Sequence, residues 1–231
     1  YVPPFQIGEL LQGSAVGHVT ASAHPDYKEG DLLTSMAGWR AVWPAKPETV
    51  MANKVPQTGL PDSALLGVAG MPGLTAYAGL LRVAALKEGD TVFVSGAAGA
   101  VGSTVVQIAK IKKCTVIGSA GGTEKCNLVK ELGADHVIDY AEENLRERVR
   151  EITEGAGCNV IFDPVGGDAF DAAMRSIAWE GRLLVIGFAS GRVSQAKANI
   201  VLVKNISVVG FYWGSYNFKK PQVVMKSMQT L

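Results

Sequence analysis

Residues 92–102 read V-F-V-S-G-A-A-G-A-V-G, an apolar run that ends in a glycine-rich turn and leads into a helix-prone segment. The spacing Ala97-x-Gly99-x-x-Gly102 is that of a phosphate-cradling turn with alanine in place of the first glycine. Gly99 lets the backbone approach a pyrophosphate, and Gly102 lets the helix pack close to the strand. The helix N-terminus then offers free N–H groups and a partial positive charge to an anion. In a strand–turn–helix context the chemistry implied is dinucleotide binding.

Residues 117–125, I-G-S-A-G-G-T-E-K, decide which dinucleotide. A chain that binds NAD places an acid about twenty residues after the glycine turn, to hold the ribose hydroxyls. Here the strand runs into Gly118-Ser119-Ala120-Gly121-Gly122, with no acid to repel a 2′-phosphate. Lys125, in the first turn of the next helix, supplies a positive charge, and Tyr140, just after the third strand, offers a hydroxyl. Together they point to NADP(H). The competing reading makes Lys125 an ordinary surface lysine and Tyr140 a packing residue. Glu124 is the counter-indication, although on a helix it points away from its neighbour.

Other chemistry finds little support. His18, His24 and His136 are scattered, no cluster has zinc-ligand spacing, and no bound metal is expected. Cys114, Cys126 and Cys158 form an odd, sparse set without a C-x-x-C, which suits a reducing compartment. No Ser/His/Asp or paired-carboxylate constellation is visible. A net charge of +1 gives no reason to expect a nucleic-acid partner or an anionic membrane surface. No run reaches the roughly 18 apolar residues of a membrane span. A cytoplasmic location is expected. The opening Y-V-P-P-F-Q has neither a methionine nor a signal-peptide pattern, as in a processed chain or a fragment.

The elements that must position these residues follow from periodicity. Up to about residue 60, short β-prone runs are split by turns such as K-E-G-D (28–31), as in a small β-rich unit. Residues 63–70 are apolar and predict the opening of a helix that continues over 75–85. Strands are then predicted at 91–95, 114–118, 136–139, 159–163, 182–186 and 206–209. Helices are predicted at 100–112, 123–132, 142–153 and 168–178. Such alternation implies an α/β fold with a parallel sheet covered on both faces. The charged segment 142–151 reads as a solvated helix face with an attractive Glu142–Arg146 pair.

Several stretches resemble the zinc-independent medium-chain dehydrogenase/reductase superfamily. Y-V-P-P-F-Q-I-G-E, M-A-G-W-R, G-M-P-G-L-T-A-Y and A-G-G-T-E-K-C are similar to the alkenal/prostaglandin reductase branch. D-P-V-G-G, V-I-G-F-A-S-G-R and L-V-K-N-I-S-V-V-G-F-Y-W-G look more like quinone oxidoreductase-type proteins. The resemblance implies a Rossmann doubly wound parallel sheet with a smaller GroES-like β domain, here incomplete. The domains would be 1–62 (partial GroES-like), 63–214 (NADP(H)-binding) and 215–231 (the start of a return helix toward the catalytic domain).

The resemblance also implies roles. Gly99, Ala100, Val101 and Gly102 would form the pyrophosphate turn. Lys125 and Tyr140, beside Gly121, would hold the 2′-phosphate. Gly166 and Gly167 would lie near the ribose. Gly187, Phe188, Gly210 and Phe211 would approach the nicotinamide from strand ends, with Met71 and Thr75 near its carboxamide. The activity implied is hydride transfer from NADPH to the C=C bond of an α,β-unsaturated carbonyl or to a quinone, in a homodimer. The alternative is a non-catalytic NADPH-binding member. The branch's tyrosine is missing from the loop F-A-S-G-R-V-S, so no proton donor is assigned. Tyr77, Tyr212, Trp213 and Tyr216 are candidate pocket aromatics, although such residues are more often core.

Overall fold

The computed structural model describes residues 4–55 and 59–230. Tyr1, Val2 and Pro3 of the Y-V-P-P-F-Q stretch, and Leu231, lie outside the described residues. The chain divides into two compact units, residues 1–70 and 71–231.

The first unit carries a three-stranded antiparallel sheet: β1 (Ala15–His18), β2 (Leu32–Ser35) and β3 (Asn53–Lys54), in that order. The K-E-G-D turn is closed by the Asp31 carboxylate. It accepts the Lys28 N–H at 2.9 Å and pairs with the Lys54 ammonium at 2.7 Å. The apolar segment 63–70 does not open a long helix. Pro61 leads into one 3₁₀ turn, Asp62–Leu66, and the helix proper begins at Met71. At Gly70 an added Cβ would stand 2.1 Å from the Leu65 carbonyl oxygen, so the chain reverses tightly there instead of continuing a helix.

The second unit is a doubly wound α/β layer structure. Helix α1 (Met71–Ala78) passes into a single π turn, Gly79–Val83. Then follow β4 (Thr91–Val94), α2 (Ala100–Ile111), β5 (Thr115–Ala120), α3 (Thr123–Glu131), β6 (His136–Asp139), α4 (Leu145–Ile152) and β7 (Cys158–Asp163). The chain continues through α5 (Gly167–Ser176), β8 (Ile177–Val185), α6 (Ala198–Val203), β9 (Ser207–Gly210), α7 (Tyr216–Lys219) and α8 (Pro221–Thr230). The six strands pair in parallel in the order β6-β5-β4-β7-β8-β9.

Alternate side chains of each strand enter opposite cores, as the period of two requires. Val92, Val94, Val116, Val160 and Phe162 pack with Ala76 of α1, Leu80 of the π turn, and Val105 and Val106 of α2 on one face. Phe93, Ile117, Ile161 and Leu183 pack with Val149 of α4 and Phe170 and Met174 of α5 on the other. With both faces covered, the central strands read as continuous apolar runs rather than alternating ones.

The structure sharpens several boundaries. α4 starts at Leu145 because Asn144 caps it, its Oδ1 accepting the N–H groups of Arg146 and Glu147 at 3.1 and 3.2 Å. The ion pairs of that helix run through Arg148, to Glu143 at 2.6 Å and to Glu151, not through Glu142–Arg146. β8 begins at Ile177, earlier than periodicity suggested, because a register irregularity between Cys158 and Val160 lets residues 177–181 join the strand.

Candidate cofactor site

In an open parallel sheet, ligands bind beyond the carboxyl ends of the strands, where the strand order reverses. Here β4 lies between β5 and β7, so the reversal falls at the ends of β4 and β7. Of the cofactor-site residues singled out from sequence, Met71 and Thr75 lie on α1, and the others lie at the carboxyl ends of sheet strands, in the turns that follow, or in the first turn of the next helix.

The turn after β4 is built from glycines at two tight points. Gly96 has φ +60, and a Cβ there would lie 3.1 Å from Val165 Cγ2. The tight first position of the turn is thus Gly96. Ala97, the residue at which a first glycine was expected, is fully buried and donates its N–H to the Ser119 carbonyl at 2.9 Å. Gly99 caps α2 in an extended conformation without a side chain, and the first bond into the helix is Ser103 N–H to Gly99 C=O at 2.9 Å. Helix geometry therefore leaves the N–H groups of Ala100, Val101 and Gly102 without an acceptor inside α2. At Gly102 a Cβ would stand 2.3 Å from the Gly96 carbonyl oxygen, so only glycine lets the helix start this close to its turn.

The glycine stretch after β5 divides by role. Gly118 belongs to the strand, where a Cβ would lie 2.6 Å from Val129 Cγ1; its bareness lets α3 pack on the sheet. Gly121 lies against Tyr140, with the tyrosine Cζ and hydroxyl both 2.8 Å from where its Cβ would be. Gly122 has φ +85, caps α3, and has nothing within 4 Å of its Cβ position. Lys125 is exposed in the first turn of α3, and among the described residues it has no ion-pair partner. Asp139 ends β6 and was not anticipated; its Oδ1 accepts the N–H groups of Gly122 and Ala141, each at 3.0 Å.

A second unanticipated acid, Asp163, ends β7 and is 1% exposed. Its carboxylate accepts the Ser95 hydroxyl from the end of β4, together with the N–H groups of Val165 and Gly166 at 3.0 and 3.1 Å. Burial raises its pKa, and the Ser95 and backbone bonds act against that rise. One carboxylate thus ties together the two strand ends that flank the reversal. The only sequence signal was its place before the turn residues of D-P-V-G-G.

Gly166 and Gly167 follow with φ +69 and +58, and both are buried. A Cβ on Gly166 would lie 3.0 Å from the Arg192 carbonyl and 3.1 Å from Phe188; one on Gly167 would lie 2.8 Å from the Ser190 hydroxyl. The loop after β8 therefore covers them, and it is pinned to α5 by Arg192, which pairs with Asp168 at 2.5 Å and Asp171 at 3.1 Å. At Gly187 a Cβ would stand 3.2 Å from the Pro164 carbonyl oxygen. Gly210 is open, with nothing within 4 Å.

The ring of Phe211 is buried in a cluster with Leu74, Ala78 and Trp213, against Tyr216 and Val224. Trp213 stacks on Tyr216 at 5.3 Å between ring centres. Tyr77 packs on the core beneath α1, while Tyr212 is exposed. Met71 is exposed; Thr75 is buried and donates its hydroxyl to the Met71 carbonyl at 2.7 Å, which leaves its lone pairs as acceptors.

Two family models match the chain: one described as a zinc-binding dehydrogenase, over residues 100–229, and one described as the N-terminal domain of an oxidoreductase, over residues 1–52. Quinone oxidoreductase-like protein 2 of Rattus norvegicus is 40% identical over 232 residues, covering 99% of this chain and 65% of the relative. The NADPH-dependent curcumin reductase of Escherichia coli (strain K12) is 39% identical over 192 residues, covering 82% of this chain and 54% of the relative. The crystal structure of CurA from Vibrio vulnificus in complex with NADPH superposes with a TM-score of 0.82 at 33% identity, covering 99% of this chain and 71% of that one. The chain spans less than two thirds of the length of these two curated relatives.

Proposed function

The chain belongs to the zinc-independent medium-chain dehydrogenase/reductase superfamily, and on that premise we propose that it binds NADPH and reduces the C=C bond of α,β-unsaturated carbonyls or a quinone. The observation that carries the reading is the α2 start. Three N–H groups without an internal acceptor point out of a turn that tolerates only glycine at position 102.

The residues present fit a phosphorylated dinucleotide. Ala100, Val101 and Gly102 would donate to the pyrophosphate over the bare Gly99. Lys125, without a counter-ion among the described residues, and the Tyr140 hydroxyl beside Gly121 would hold the 2′-phosphate. Gly166 and Gly167 would shape the turn on the ribose side. Gly187, Phe188 and Gly210 would border the nicotinamide, Phe211 would support that border from within its buried cluster, and Met71 and Thr75 would meet the carboxamide. When bound, the cofactor supplies the hydride; the protein's part is orientation and exclusion of competing reactions. Hydride addition at the β-carbon of an enone leaves an enolate, and with no side-chain proton donor assigned its α-carbon would take a proton from water.

The NADPH-dependent curcumin reductase relative and the NADPH-bound structural neighbour support the cofactor, and the mixture of alkenal reductase and quinone oxidoreductase-like relatives supports the two acceptor classes. A homodimer, formed through the edge strand β9, and a cytoplasmic location complete the proposal; among the described residues no helix is long and apolar enough to cross a membrane.

The test is calorimetric titration of the chain with NADPH and with NADH, followed by enones and quinones as acceptors. Preferred NADPH binding with turnover of an acceptor supports the proposal, and a semiquinone radical signal would assign one-electron quinone chemistry instead of two-electron enone reduction. Binding without turnover of any acceptor favours a non-catalytic NADPH-binding member. Binding of neither cofactor overturns both.

A further inference from the structure

Asp139 stands at the junction of two turns. Its Oδ1 accepts one N–H from the turn after β5, that of Gly122, and one from the turn after β6, that of Ala141, each at 3.0 Å. The N–H of Tyr140 donates to the Ala120 carbonyl at 3.1 Å. The Asp139 carbonyl accepts the N–H groups of Glu142 and Glu143, and its own N–H donates to Glu143 Oε2 at 3.0 Å. These bonds make one piece of two turns that are separate in sequence, and in that piece Gly121 lies against Tyr140. Gly122 has no side chain of its own to cap α3, and its φ of +85 makes it a point at which the turn would otherwise move.

An acid near a phosphate site ordinarily repels the phosphate and favours a bare ribose. Asp139 differs in what its oxygen faces: two backbone N–H dipoles use the lone pairs of Oδ1. The Gly122 N–H first, then that of Ala141, hold the carboxyl below its usual range, so the bonds are made to the ionised form.

We propose that Asp139 is a specificity-determining positioning residue. Its carboxylate clamps the Gly121–Gly122 turn to the Tyr140 turn, and so sets the geometry that separates a 2′-phosphorylated adenosine ribose from an unphosphorylated one. The inference rests on the assignment of Gly121, Lys125 and Tyr140 to the 2′-phosphate. It requires that cofactor preference follow the position of the Asp139 oxygen, not its charge.

Two substitutions separate position from charge. Asp139→Asn keeps an acceptor oxygen in place and removes the charge. Asp139→Glu keeps the charge and cannot put its oxygen on both N–H groups. Titration of the wild-type chain and both variants with NADPH and NADH reads the affinity ratio. The ratio is expected to stay near wild type in Asp139→Asn. It is expected to fall roughly tenfold in Asp139→Glu, the scale of one charge-assisted hydrogen bond, with NADH affinity unchanged. Should Asp139→Glu not fold, Asp139→Ser, whose hydroxyl is too short to span both donors, carries the same expectation.

A wild-type preference for NADPH with an unchanged ratio in Asp139→Glu overturns the proposal alone. So does a ratio that rises in Asp139→Asn, or an equal loss of both cofactors in Asp139→Glu. A wild-type chain without preference overturns the phosphate assignment and the proposal with it.

Discussion

The Ser95 hydroxyl donates to the Asp163 carboxylate across the ends of β4 and β7, the two strands between which the sheet order reverses. The acceptor is buried and also holds the Val165 and Gly166 N–H groups. Ser95→Ala removes one donor from a buried carboxyl group and is expected to cost about 1–3 kcal/mol of folding stability, read by urea denaturation. The pH dependence has a definite sign. Burial raises the Asp163 pKa in the folded state, so its contribution is fully present below the unfolded-state value near ~3.9 and is lost as pH rises through the folded value. The Ser95 bond lowers that pKa, so the Ser95→Ala penalty is expected to be larger at neutral pH than in acid. A pH-independent penalty would show that the bond does not favour the ionised form.

Gly102→Ala puts a Cβ 2.3 Å from the Gly96 carbonyl oxygen, against backbone that cannot swing away as a side-chain tip can. The turn must open, at a cost of about 2 kcal/mol or more. NADPH binding is expected to weaken more than tenfold, roughly one lost hydrogen-bond donor at the helix start. Gly99→Ala, whose Cβ would lie 3.2 Å from the same oxygen, should be the milder change. Thermal melting and calorimetry of the pair check the order.

Lys125→Ala is expected to weaken NADPH binding about tenfold, the scale of one charged contact to a phosphate, and to leave NADH binding unchanged. The effect should shrink at high salt, because Lys125 is exposed. Equal loss for both cofactors would remove Lys125 from the phosphate site.

The thiols offer a probe of opening. Cys114, Cys126 and Cys158 are all free and buried, and burial pushes the Cys158 thiol up to about 12. Since the thiolate is the reactive form, Cys158 is expected to resist a thiol reagent at neutral pH until the second unit unfolds. Its labelling rate should therefore track unfolding measured by fluorescence. Fast labelling in the absence of denaturant would contradict the packing of β7.

Much of the second unit was legible because its strands are buried on both faces and its helices carry one apolar side. The β4–α2 turn could be read because its glycines are local requirements. Asp163 and Asp139 could not be read in the same way. Ser95 and Asp163 are 68 positions apart, and Gly122 and Asp139 are 17 apart. Nothing in the composition near either acid says which N–H groups it will meet. Phe211 directly follows β9, and its ring is taken up by Trp213 and Tyr216 through contacts that no periodicity reveals. The α1 start was misplaced because residues 63–70 are apolar enough for a helix, while Gly70 reverses the chain.

The contact between Gly121 and Tyr140 makes the two positions a shared volume. Any side chain introduced at 121 must take its space from the residue at 140. Under the proposed phosphate assignment, recoding this chain toward the unphosphorylated cofactor is therefore an exchange between two addresses on different turns: adding an acid at 121 while keeping the tyrosine overfills the space, and trimming the tyrosine alone leaves it slack. On that assignment, libraries that vary one position at a time would score both as dead ends.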